Sequence, residues 1–71
     1  MPDELINHLR RMRIDQGLTQ AELAAIVGVS RKTINTVENG VFVPSTIVAL
    51  RLARALGTTV ERLFELPDRE R

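Results

Sequence analysis

The chain contains no cysteine, no tryptophan and no tyrosine. Without cysteine, neither a disulfide framework nor a thiolate zinc site can brace so small a fold, and a reducing compartment is compatible with it. There is one histidine and no glycine-rich phosphate loop, so the constellation that catalysis or metal binding would need is not in view. His8, the single candidate, is expected on the polar side of the first helix as a surface residue. No enzymatic activity, metal or cofactor is expected. No apolar run approaches the roughly 20 residues needed to cross a bilayer, and Met1 to Arg10 lacks the basic-then-apolar pattern of a signal peptide. The expectation is a cytoplasmic protein without a membrane partner.

What is present fits one small domain. The chain has 71 residues, 44% of them apolar and 27% charged, and the charges are spread too evenly for disorder. A core of Leu, Ile, Val and Ala must supply nearly all of the stability. Residues 1–66 are expected to form that domain and 67–71 a short charged tail. Net charge is only +1, so distribution matters more than balance. Ser30 to Val37 contains Arg31 and Lys32 with no acid, a local patch able to meet phosphates on a nearly neutral protein.

Gly17, Gly28, Gly40 and Gly57 each follow an apolar segment of helical spacing, where a left-handed residue can close a helix. The segments are Leu5, Leu9 and Met12; Leu23, Ala24 and Val27; Ile34 and Val37; and Val48, Leu52, Ala55 and Leu56. A short fifth helix is expected to run to Pro67. Thr19 and Glu22 form a capping box, Ser30 and Ser45 are further N-cap candidates, and Thr58 or Thr59 caps the last helix. Val41 to Val43 is short and stopped by Pro44, so no strand is expected. The fold class is all-α.

Between Gln20 and Asn39 a short helix, a break at Gly28 and a second helix follow one another closely, the spacing of a helix-turn-helix. Ala24 sits where the two helices must cross, and Val29, Ile34 and Val37 pin the second against the first. Its opposite face is polar. Arg31, Lys32, Asn35 and Thr36 share that face near the helix N-terminus. Arg and Lys can donate to guanine O6 and N7, Asn can pair with adenine N6 and N7, and Thr can touch a thymine methyl.

Three runs, Gly17-Leu18-Thr19-Gln20-Ala21-Glu22-Leu23-Ala24, Gly28-Val29-Ser30-Arg31 and Glu38-Asn39-Gly40, resemble the phage-repressor and Cro-like (XRE) family. Pro44-Ser45, Leu50 to Gly57 and Val60 to Phe64 resemble the fourth and fifth helices of its compact bacterial members. The resemblance implies a five-helix bundle of the lambda-repressor-like type in which helices two and three, residues 20–39, dock in the DNA major groove. By position, Ser30, Arg31, Lys32, Asn35 and Thr36 would face base edges, and Thr19, Gln20, Thr33 and Asn39 would hold phosphates. The family also pairs Arg13 with Glu38. The function it implies is a sequence-specific double-stranded-DNA-binding transcriptional regulator, a repressor acting on a two-fold operator.

Two departures stand out. Val41 occupies a position where the family often has lysine, which removes one phosphate contact, and Val43 and Ile47 are apolar where relatives tend to be polar. Both point to a surface buried beyond the monomer's own core. One recognition helix reads only a few base pairs, so a homodimer is expected. Members of the family pair through the loop after the recognition helix and the last helix, which nominates Val41, Val43, Val60 and Leu66; Leu63 and Phe64 are assigned to the core. The rival readings are an antitoxin with a toxin partner, which would also bind DNA, and an adaptor for other proteins, which would not need the basic face. No inducer-binding domain is expected after Phe64.

Overall fold

The computed structural model describes residues 5–67. Its elements are β1 (Ile6–Asn7), α1 (Leu9–Asp15), α2 (Gln20–Val27), α3 (Arg31–Glu38), α4 (Thr46–Ala55), α5 (Val60–Leu63) and β2 (Phe64–Glu65). The five expected helices are there, with two corrections at the edges. α1 starts only at Leu9, leaving Leu5 outside it, and α5 stops at Leu63 rather than running toward Pro67. The residues released form a short antiparallel ladder, Ile6 opposite Glu65 and Asn7 opposite Phe64.

Asn7 supplies the physical reason. Its Oδ1 accepts the Leu9 N–H at 2.9 Å while its Nδ2 donates to the Val37 carbonyl at 2.7 Å. One side chain thus satisfies a donor left free at the start of α1 and a carbonyl near the end of α3. The His8 N–H donates to the Leu63 carbonyl at 3.0 Å, which ties the segment just before α1 to the end of α5. Hydrophobic period cannot register such long-range satisfaction of polar groups. His8 accordingly lies before α1, not on its polar face, with Nε2 3.1 Å from Glu65 Oε2. From Asp68 onward the expected charged tail lies outside the described residues.

The other helix starts follow side-chain chemistry. Thr19 accepts the Glu22 N–H at 3.0 Å and Glu22 accepts the Thr19 N–H at 2.8 Å, so the capping box closes in both directions. Ser45 caps α4 through the Val48 N–H, and Thr59, not Thr58, caps α5 through the Arg62 N–H. Gly28 ends α2 at φ +86° and donates to the Ala24 carbonyl, so the link to α3 is only Gly28, Val29 and Ser30. A residue with a Cβ is strained in that left-handed conformation.

The core unites all five helices. Leu9, Leu23, Ile34, Val37, Leu52 and Leu63 are fully buried, and Ala24, Val27, Ala49, Ala53, Leu56 and Phe64 complete the cluster. Half-buried Leu5, Met12, Leu18, Val29 and Val60 pack around it. Ile34 and Val37 therefore hold α3 against α2 from one side, leaving its polar face outward.

Candidate nucleic-acid interface

The polar face of α3 begins at its cap. Ser30 Oγ accepts the Thr33 N–H at 3.0 Å and lies 2.9 Å from Thr33 Oγ1, so both hydroxyls are engaged in starting the helix. Arg31 and Lys32 follow in the first turn and are exposed. With no acid in that turn, their charge adds to the positive end of the helix dipole. Thr36 turns its hydroxyl back to the Lys32 and Thr33 carbonyls, both at 3.0 Å. What it can offer outward is a methyl group.

Behind this face lies a hydrogen-bonded network centred on Glu38, whose side chain is 0% exposed. Arg13, 11% exposed, donates from Nε to Glu38 Oε2 at 2.6 Å and from Nη2 to Oε1 at 3.2 Å. Its Nη1 donates to the Leu18 carbonyl at 2.8 Å, so the guanidinium joins α1, the loop before α2 and the end of α3. Gln20 Nε2 donates to Glu38 Oε1 and to Asn35 Oδ1, each at 3.1 Å. Asn39 Nδ2 reaches the same Asn35 oxygen at 3.4 Å, and Arg31 Nη1 approaches Gln20 Oε1 at 3.5 Å.

Burial raises the Glu38 pKa by disfavouring the anion, but hydrogen bonds from Arg13, Gln20 and Arg10, with the Arg13 charge, outweigh it and hold the carboxyl below its ordinary value. The hydrogen bond to Glu38 holds Arg13 above its ordinary value in spite of the opposing effect of burial. Both groups are therefore ionised near neutral pH. Since no buried side-chain polar atom among the described residues lacks a partner, the network is closed on its protein side.

Arg10 is the member that sequence reasoning did not single out. It donates from Nε to Glu38 Oε1 at 3.3 Å and from Nη2 to Asn39 Oδ1 at 3.1 Å while remaining 55% exposed. Its spacing of three from Arg13 puts both guanidiniums on one side of α1, a signal that was available. Of the residues assigned to phosphates, Thr19 and Gln20 stand at the start of α2, Thr33 on the first turn of α3 and Asn39 just beyond its end. All belong to the edges of the two helices that frame the polar face of α3.

The apolar residues assigned to dimerisation separate into two groups. Val41, Val43 and Leu66 are 78%, 67% and 66% exposed. Val60 is instead half-buried against the chain's own core, because the single turn of α5 must help close that core. Phe42, Ile47 and Leu50 are also exposed, and Val43, Pro44, Leu50, Val60 and Phe64 line a shallow groove of about 320 Å³.

A family model described as helix-turn-helix matches residues 9–63. An uncharacterized HTH-type transcriptional regulator of Methanothermobacter thermautotrophicus is 49% identical over 61 residues, spanning 84% of this chain and 88% of that protein. Another, from Archaeoglobus fulgidus, is 42% identical over 62 residues, spanning 87% and 89% respectively. The crystal structure of the restriction-modification controller protein C.AhdI from Aeromonas hydrophila superposes with a TM-score of 0.76 at 37% identity, covering 80% of this chain and 86% of that one.

Proposed function

Because the chain belongs to the helix-turn-helix family of transcriptional regulators, of the phage-repressor and Cro-like (XRE) type, we propose that it is a repressor reading a two-fold operator as a homodimer. Ser30, Arg31, Lys32, Asn35 and Thr36 read base edges, and Thr19, Gln20, Thr33 and Asn39 hold phosphates. The observation that carries this reading is the exposed Arg31–Lys32 pair on a helix whose other face is locked to α2 by Ile34 and Val37. Such a helix can enter the major groove with its N-terminal residues toward the bases while α2 crosses the backbone.

The dimer rests on Val41, Val43 and Leu66, which form no part of the core and would face a second copy across a two-fold axis. Two α3 helices would then meet half-sites about one turn, or 34 Å, apart. Selection from a random duplex pool tests the whole reading. The expected product is an inverted repeat of that spacing. Enrichment of no sequence overturns DNA reading, and enrichment of one unrepeated half-site overturns the dimer. An operator overlapping a promoter, with transcription in vitro reduced when the protein is added, is the expected sign of repression.

A further inference from the structure

Hydrogen bonds in the network around Glu38 have a direction, and it is set from both ends. Ionised Glu38 can only accept and Arg10 can only donate. Gln20 must therefore turn its NH2 group toward Glu38 Oε1, and the same nitrogen reaches Asn35 Oδ1 at 3.1 Å. From the other end, Arg10 Nη2 donates to Asn39 Oδ1, which leaves the Asn39 NH2 group toward Asn35 Oδ1 at 3.4 Å. Both constraints agree on one orientation of the Asn35 amide. Its oxygen receives two hydrogen bonds, and among the described residues no group accepts from its Nδ2. Turning the amide over would set NH2 against NH2 twice.

We propose that Asn35 is a specificity-determining residue that acts only as a donor and reads a guanine. This rests on the DNA-reading assignment of α3 and sharpens it. The paired contact of Asn with adenine needs a free amide oxygen to accept from N6 as well as an NH2 group to donate to N7. The Asn35 oxygen is already taken by Gln20 and Asn39. A group with two free N–H bonds and no free acceptor suits the guanine edge, where N7 and O6 offer two acceptors side by side with no donor between them. Adenine would instead set its N6 amine against the Asn35 NH2 group.

The test uses the wild-type chain and Asn35→Ala on the duplex that selection returns. Guanines are replaced one at a time by 7-deazaguanine, which lacks the N7 acceptor, and by adenine. One guanine of each half-site is expected at which both replacements weaken wild-type binding by roughly tenfold per half-site and leave Asn35→Ala unchanged. Arg31→Ala and Lys32→Ala, at exposed positions, are expected to keep that guanine dependence, which separates it from guanine contacts of their own even where Asn35→Ala folds poorly. If the position coupled to Asn35 is an adenine whose N6 amine is required by the wild type, the donor-only assignment is overturned. If wild type and Asn35→Ala select identical sites, Asn35 does not read a base, although the DNA reading of the other residues stands. A wild-type chain that selects no sequence overturns the DNA reading instead.

Discussion

Glu38 is an anion with no solvent of its own, so its partners decide whether it stabilises or disrupts the fold. Removing the carboxylate leaves the Arg13 guanidinium nearly buried without a counter-charge. Glu38→Gln is therefore expected to destabilise the protein by about 3 kcal/mol at neutral pH, measured by urea denaturation. The pH dependence follows from the lowered carboxyl pKa. A group whose folded pKa lies below its unfolded value contributes stability in full above the unfolded value, and that contribution fades as pH falls through the folded one. The gap between wild type and Glu38→Gln should accordingly be widest above about pH 4.3 and should shrink on further acidification. A gap that stays constant down to strongly acid pH would show that the carboxylate contributes no charge-dependent stability. Arg31 lies at the other extreme, exposed and, among the described residues, without an acid partner. Arg31→Ala should cost about 1 to 3 kcal/mol of specific binding and relax preference at one base. An equal loss on every sequence would make Arg31 a phosphate contact.

At the scale of elements, three residues of turn separate α3 from α2, and both sides of that turn are chemically fixed. Gly28→Ala places a Cβ in the left-handed region at φ +86°, although the nearest atom to that Cβ would be the flexible end of Arg51 at 3.8 Å. The expected loss, about 1 to 2 kcal/mol in thermal or chemical denaturation, is thus one of backbone strain and not of crowding. Ser30→Ala removes the α3 cap and should lower stability by about 1 kcal/mol. Because Ser30 is also placed among the base-reading residues, its variant should in addition relax preference at one base. An unchanged base preference in Ser30→Ala would confine the hydroxyl to the cap it shares with Thr33.

For the whole molecule, the decisive feature is apolar surface that the core does not use. Val41 and Val43 project from the loop after α3, where the Val41 and Phe42 N–H groups are both held by the Thr36 carbonyl. The loop is therefore anchored to α3. An interface formed there would fix the relation between two such helices. Replacing Val41 and Val43 together by lysine should shift sedimentation toward monomer in the absence of DNA, where added charge cannot compensate through phosphates. A wild-type chain that stays monomeric at high concentration would remove the loop from any such role.

Local chemistry determined much of this protein from sequence alone. The capping box at Thr19, the caps at Ser30 and Ser45, the break at Gly28 and the apolar positions of α2 and α3 depend on neighbours within a few residues, so they are legible in order along the chain; in α4 Leu52 and Leu56 were legible, whereas Ala49 and Ala53 are buried where Val48 and Ala55 were expected. Residue type likewise made Arg31 and Lys32 conspicuous, since basic side chains without nearby acids need no fold to be seen. Only the tertiary structure decided what spans the chain. Asn7 meets Val37 across 30 positions, and His8 meets Glu65 across 57, so the late start of α1 and the β1–β2 ladder have no local signature. The same holds for Val60, whose burial depends on how much core the other helices leave uncovered. The orientation of Asn35 is of this kind too: a side-chain amide has two faces, and which one meets solvent was settled by a buried carboxylate and an arginine brought together from α3 and α1.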